Sequence, residues 1–293
     1  MKTAFTTTRL AHAKLNIRLE VGPKTGVLHA VLSVIAPLEL ADEIQFASSP
    51  AGFSVRCEGE VIAERDNLAW RAAQAFGSPL PEVAVTIRKR IPLQAGLGGG
   101  STDAAQTLET LAQLLRERGQ PPHPDAIAKA AIDIGSDVPA ALVPGLKIVG
   151  GVGDRVTPYP AAAPPWGIVL LKPATGSETA RAYALLDARG PRPPFGERQL
   201  GRARAICAAF ASSDFDGFVD LLHNDFTDPV ESAMPDVASA RGRLDEIGAR
   251  KTLLCGSGSC VAGFFKDLEQ ARSGHARLTL GEGDWCTVTR FHV

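Results

Sequence analysis

An α+β chain of two domains is what this sequence predicts, and three observations predict it. Strand-like and helix-like periods alternate irregularly in both halves, whereas a doubly wound parallel sheet alternates them regularly. The 293-residue length accommodates one large or two modest domains. Near the middle, Ala161-Ala162-Ala163-Pro164-Pro165 interrupts every period and carries two prolines. The expected division is therefore residues 1–160 and residues 166–293, meeting at a cleft.

The elements follow in order. Ala13, Leu15, Ile17, Leu19 and Val21 alternate with polar neighbours, a period of two that predicts a half-buried strand with Lys14 and Asn16 on one face. Val27–Ile35 and Val83–Ile91 read as further strands, the second ending before Pro92. After the loop Pro92–Thr102, residues Ala105, Leu108, Leu111, Ala112 and Leu115 recur at helical spacing, and Gly119 closes that helix. A second helix is predicted from Pro124 to Ile134, stopping at Gly135. Beyond the break come a strand at Ile168–Leu171, helical stretches, a turn between Leu253 and Phe265, a helix, and a last strand near Val288.

Composition narrows the function classes. With 31 basic and 32 acidic residues the formal net charge is -1, so no whole-chain field draws it to nucleic acid or an anionic membrane. The Thr-rich start, Met1–Leu10, lacks the apolar stretch of a secretory signal, and no window has the length of a membrane span. Five scattered cysteines form no metal-binding spacing. The expectation is a cytoplasmic enzyme with reduced thiols, a monomer or weak homodimer, and no protein metal site.

The chemistry concentrates in a few stretches. Gly96, Gly98, Gly99 and Gly100 lie within five residues, directly before Ser101, Thr102 and a long helix. Strand, glycine loop, helix is an arrangement that presents bare backbone N–H groups and a helix dipole to a phosphate. It is neither a Walker loop, which needs a lysine, nor a dinucleotide G-x-G-x-x-G, because Ser101 stands at the last glycine. Cationic help must come from elsewhere, and Lys14 is the first candidate. Asp137, between a helix-ending glycine and an apolar run, is either a capping residue or the carboxylate that phosphoryl transfer to an alcohol requires. Asp103 is read as stabilising the helix amino terminus.

Together these residues resemble the GHMP kinase family. The resemblance rests on Ala13-Lys14-Leu15-Asn16, on Arg65-Asp66-Asn67-Leu68 with Arg71-Ala72-Ala73, on the loop and its continuation from Gly96 to Ala105, and on Ile134-Gly135-Ser136-Asp137-Val138-Pro139 with Gly151-Val152-Gly153-Asp154. His223-Asn224-Asp225-Phe226 and Leu254–Cys260 are similar to later family stretches. The resemblance implies an amino-terminal domain like the second domain of ribosomal protein S5 and a ferredoxin-like carboxy-terminal domain. It implies ATP, with Mg²⁺, between them, and transfer of the γ-phosphate to the 2-hydroxyl of a cytidine-diphosphate-linked methylerythritol.

Carried over by position, the resemblance makes Asp137 and Lys14 catalytic. Pro92, Leu93, Gln94, Ala95, Gly96, Leu97, Gly98, Gly99, Gly100, Ser101 and Thr102 become the ATP loop. Asn16, Leu28, His29, Thr179 and Tyr183 become substrate contacts. Leu28 stands where the family carries an aromatic in its G-Y-H stretch, and Ala140 and Ala141 follow the D-V-P segment where an aromatic is common. Tyr183 is the remaining base-stacking candidate. The alternatives are a kinase for homoserine or a mevalonate-type alcohol, and a nucleotide sensor without catalysis.

Overall fold

The computed structural model describes residues 5–59, 62–77 and 81–292. Met1–Ala4, part of the Thr-rich start, lie outside them. The chain forms two compact units that are discontinuous in sequence. The first comprises Met1–Ala13, Leu40–Ile91 and Gly98–Val143; the second comprises Lys14–Glu39, Pro92–Leu97 and Pro144–Val293. Two long strands, β1 (Thr6–Thr25) and β2 (Leu28–Ser48), contribute residues to both. The stretch 161–165 carries no helix or strand and lies within the second unit.

In the first unit β3 (Ser54–Glu58) runs parallel to β4 (Val83–Arg88), and the far end of β2 pairs antiparallel with β4 from Glu43↔Arg88 to Ser48↔Val83. The alternation Val83, Val85, Ile87 puts these side chains in a core with Ile44 and Phe46. Helix α1 (Leu68–Gln74) is capped by Asn67, whose side chain accepts from the Ala69 amide at 2.9 Å. Three more helices follow, α2 (Gly99–Glu117), α3 (Pro124–Ile134) and α4 (Val138–Ala141). Their shared core is alanine-rich, with Ala72, Ala104, Ala105, Ala130 and Ala131 around Leu108 and Val138. Small side chains there let helix axes approach closely.

Two expectations change here. Helix α2 begins at Gly99, so half of the glycine run is helix rather than loop. Gly98, in the left-handed region at φ 72°, turns the chain into the helix. That start puts Asp103 in the second turn, too deep to stabilise the amino terminus, and its carboxylate pairs instead with Lys89.

The second unit contains β5 (Lys147–Gly150), paired with β2 from Ser33↔Val149, and β6 (Arg155–Pro158), paired with β5. Then come β7 (Gly167–Lys172), α5 (Thr179–Asp187), α6 (Glu197–Ala211), α7 (Phe215–Leu221) and β8 (His223–Asn224), the last parallel to β1 at Arg18↔His223. The chain ends with α8 (Thr227–Ala233), α9 (Pro235–Glu246), β9 (Lys251–Leu254), β10 (Val261–Phe265), α10 (Leu268–Arg277) and β11 (Trp285–Arg290). An antiparallel sheet in the order β11-β7-β10-β9 results, the ferredoxin-like arrangement of a split βαβ. Trp166 anchors it amid Phe210, Phe215, Phe218 and Phe291.

The predicted half-buried strand is buried on both faces. Asn16, Arg18 and Glu20 of β1 are 4%, 3% and 8% exposed. Such polar groups stay inside only when hydrogen-bonded, and these are. Asn16 donates to the Ser33 hydroxyl at 2.8 Å, Ser33 donates to the Arg18 carbonyl at 2.8 Å, and Arg18 donates to Glu20. Period-two alternation reveals the strand but not what covers its second face.

Candidate functional site

The Lys14 ammonium is positioned by β1 and donates to Asn16 Oδ1 at 2.6 Å. The same strand holds the glycine loop, because the Lys14 amide donates to the Leu97 carbonyl at 2.9 Å. Gly96 sits at φ +73°, and a Cβ there would fall 1.8 Å from the Cys255 carbonyl oxygen. Only glycine permits both the conformation and the approach.

The approaching segment is the bend between β9 and β10. Its Ser259 amide donates to the Gln94 carbonyl at 3.1 Å, and its Cys260 amide donates to Ala95 at 3.3 Å. At the tip of the bend, a Cβ on Gly256 would stand 3.2 Å from Lys14 Nζ and 3.4 Å from Asn16 Oδ1. Buried Asn224 fixes this bend from behind, its amide donating to the Leu254 and Gly256 carbonyls at 2.8 and 2.7 Å.

Thr179 joins the same bend. Its hydroxyl lies 3.1 Å from the Ser257 hydroxyl, while the Ser177 hydroxyl donates to the Ser257 carbonyl at 2.8 Å. His29 and Tyr183 form a second group, their rings stacked with centroids 5.1 Å apart. His29 Nδ1 contacts the Gly22 carbonyl at 3.0 Å and Nε2 lies 3.0 Å from Asp187 Oδ1. Lys24, bonded to the same Asp187, holds that carboxyl below the usual range, with His29 adding to the effect. Tyr183 meets Phe226 edge-on at 4.9 Å, and Leu28 is 51% exposed at the hairpin tip.

The second unit therefore brings together Lys14, Asn16, Pro92–Leu97 and Thr179, with His29 and Tyr183 as a separate pair. Gly98–Thr102 and Asp137 belong to the first unit. There, Gly99, Gly100 and Ser101 form the opening turn of α2, whose amides have no intrahelical acceptor. Thr102 Oγ1 donates back to the Gly99 carbonyl at 2.9 Å. Asp137 occupies the residue before α4, half-buried, and its side chain makes no capping bond to that helix.

Sequence reasoning missed Asn224 as the strut of the bend, and it missed Lys89 altogether. Lys89 donates to Asp42 at 2.5 Å and to Asp103 at 2.8 Å, and its side chain is 3% exposed. Burial pulls the ammonium down, but Asp103 and Asp42 outweigh that and hold it above the usual lysine range. Burial pushes the Asp103 carboxyl up to about 7, against the pull of Lys89. The triplet Arg88-Lys89-Arg90 looks like a solvated charge run; its position just before the loop was the available signal.

Comparison with known proteins places this arrangement. Residues 67–145 match the model of the GHMP kinases N terminal domain, and residues 206–279 match that of the GHMP kinases C terminal domain. The chain is 34% identical to a 4-diphosphocytidyl-2-C-methyl-D-erythritol kinase of Pelotomaculum thermopropionicum, across 92% of this chain and 93% of that one. It is 37% identical to the kinase of the same name from Anaeromyxobacter dehalogenans, across 90% and 82%. A crystal structure of 4-(cytidine 5'-diphospho)-2C-methyl-D-erythritol kinase superposes with a TM-score of 0.72 at 30% identity, covering 97% of this chain and 99% of that one. With both family models matched in order and near-full-length relatives above 30% identity, the chain belongs to the GHMP kinase family.

Proposed function

We propose that this chain transfers the γ-phosphate of ATP to the 2-hydroxyl of 4-diphosphocytidyl-2-C-methyl-D-erythritol, a step of the non-mevalonate route to isoprenoid precursors. The observation that carries the chemistry is the fixing of Lys14. Its ammonium stands against the Gly256 bend on the strand to which the loop itself is bonded. The acceptor alcohol is assigned from the names of the near-full-length relatives.

In this reading Pro92–Thr102 holds ATP, with the open amides of α2 on its phosphates. Asp137 orients the 2-hydroxyl and takes its proton as oxygen attacks the γ-phosphorus and the bond to ADP breaks. Lys14 offsets charge on the transferring group, and Asn16 holds its ammonium in place. Leu28, His29, Thr179 and Tyr183 face the cytidine end. Mg²⁺ would supply positive charge that offsets the nucleotide's phosphates. Among the described residues no group of three or more His, Cys, Asp or Glu is placed to hold a metal ion.

The family-domain boundary is placed at Ala161–Pro165, giving residues 1–160 and 166–293, because this stretch lies between the two family-model matches. No described helix is long and apolar enough to cross a membrane, and all five cysteines are free. We place the enzyme in the cytoplasm, as a monomer or weak homodimer.

The test is coupled ADP release with this alcohol, homoserine and mevalonate side by side. Turnover is expected with the cytidine substrate alone. The exposed aliphatic Leu28, where the family carries an aromatic, favours a second reading with another small alcohol. Turnover with homoserine or mevalonate instead would replace the first reading with that one.

A further inference from the structure

Three charged side chains of the first unit are sealed beneath the start of α2. Lys89 Nζ lies between Asp42 and Asp103, and the side chains are 3%, 0% and 4% exposed. The cluster adjoins the glycine run, since a Cβ on Gly99 would sit 3.2 Å from Lys89 Nζ. Two carboxylates against one ammonium leave one net negative charge behind amides that are to receive phosphate. In a dry site such a charge acts strongly on its surroundings.

The two carboxylates are not equivalent. Asp42 Oδ1 accepts from the Arg90 and Ile91 amides at 2.6 and 2.9 Å while Oδ2 accepts from Lys89, so both of its oxygens have donors. Asp103 Oδ2 accepts from Lys89, but Oδ1 is buried with no hydrogen-bond partner. An orphaned, desolvated oxygen favours the protonated acid. The groups facing Asp103 are Lys89 beyond the end of β4, Asp42 of β2 and Cys57 of β3, whose thiol is itself raised by burial and by Asp103. Of these, Asp103 is the group poised to change charge near neutrality.

We propose that Asp103 is a positioning residue for the nucleotide phosphates, its proton setting the charge behind the α2 amino terminus and so the affinity for the triphosphate. The inference rests on the reading that the glycine loop holds ATP phosphates. A protonated Asp103 makes the cluster neutral and the cradle receptive; an ionised Asp103 opposes the incoming anion. Nucleotide binding and Asp103 protonation therefore favour each other, and ATP binding takes up protons.

The experiment measures the Kd of ATP in saturating Mg²⁺ by calorimetry from about pH 6 to about pH 8.5, for the unaltered chain and for Asp103→Asn. Asparagine keeps the bond from Lys89 and leaves the cluster neutral at every pH. The unaltered chain is expected to weaken about three- to tenfold across the range while the variant stays flat. The ratio of their KM values for ATP carries this pH dependence, and the ratio of their kcat values does not. Superimposable profiles overturn the inference alone, whereas no ATP binding at any pH overturns the loop reading with it. Should the variant fail to fold, titrations of the unaltered chain in buffers of different ionisation enthalpy decide the matter. Net proton uptake near neutrality supports the inference, and its absence overturns it.

Discussion

Lys14 and Asn16, two residues apart on β1, are joined by a 2.6 Å hydrogen bond from the ammonium to the amide oxygen, and the Asn16 amide nitrogen donates onward to Ser33. The ammonium is thereby aimed before any ligand arrives, and pre-aimed charge is what stabilises a transition state rather than a ground state. Lys14→Ala is expected to lower kcat about 10²- to 10⁴-fold with little change in the KM for ATP, and Asn16→Ala to lower it less, about tenfold. Steady-state kinetics on both variants checks this. A loss confined to KM in Lys14→Ala contradicts the assigned role.

Asp137 offers a cleaner separation of chemistry from folding. Its side chain makes no capping bond to α4, and asparagine keeps the size of the side chain while removing its charge and its basicity. Asp137→Asn is expected to change the free energy of unfolding by no more than about 1 kcal/mol. Its kcat is expected to fall about 10²- to 10⁴-fold. Full turnover in a folded variant removes Asp137 from the mechanism; equal loss of stability and activity makes it structural.

The contrast between what the sequence reveals and what it hides is sharpest within a few residues of this site. Helix α3 is read with both ends correct, because Pro124 suits a first helical position and Gly135 follows the last turn. Those are local signals. The start of α2 is misplaced because glycine punctuates loops and yet here begins a helix. Asp103 is misread because its partner Lys89 is 14 positions away and Asp42 is 47 positions from that lysine. Asn224 shows the same limit. The stretch His223–Phe226 stands out by resemblance, but its carbonyl partners lie 30 and 32 residues on. Chemistry assembled across the chain becomes legible only when strands β1, β8 and the β9–β10 bend are seen side by side.

Gly96 and Gly145 test the loop against a control of the same backbone sign. Both have positive φ, 73° and 67°, but a Cβ on Gly145 meets nothing within 4 Å while one on Gly96 strikes the Cys255 carbonyl. Gly145→Ala is expected to cost only the left-handed penalty, about 1–2 kcal/mol. Gly96→Ala must also push the bend away, and is expected to cost at least about 3 kcal/mol and to abolish ATP binding in whatever fraction folds. Urea unfolding of the pair, with calorimetric ATP titration, measures both. Equal destabilisation would show that the approach of the bend to Gly96 has no energetic consequence.

Lys147 supplies a pH-dependent prediction away from the phosphate loop. It is 4% exposed on β5, paired in register with Ile35 on one side and Pro158 on the other. Burial pushes its ammonium down to about 8. The unfolded chain holds this proton up to the ordinary lysine value, so above about pH 8 it binds more protons than the folded chain, and stability rises with pH until both are deprotonated. Below that range both states are charged and the folded one bears the full cost of the buried ammonium. Lys147→Met, of similar length and without charge, is therefore expected to stabilise the protein at neutral pH by on the order of 2 kcal/mol. The gain should shrink steadily as the pH is raised toward about 10, because the unaltered chain then sheds the same charge on folding. Urea midpoints of the two proteins at about pH 7 and about pH 10 measure the difference directly. A gain that is the same at both pH values would assign the effect to packing, and a variant less stable at neutral pH would mean that the ammonium is held by favourable partners rather than merely desolvated.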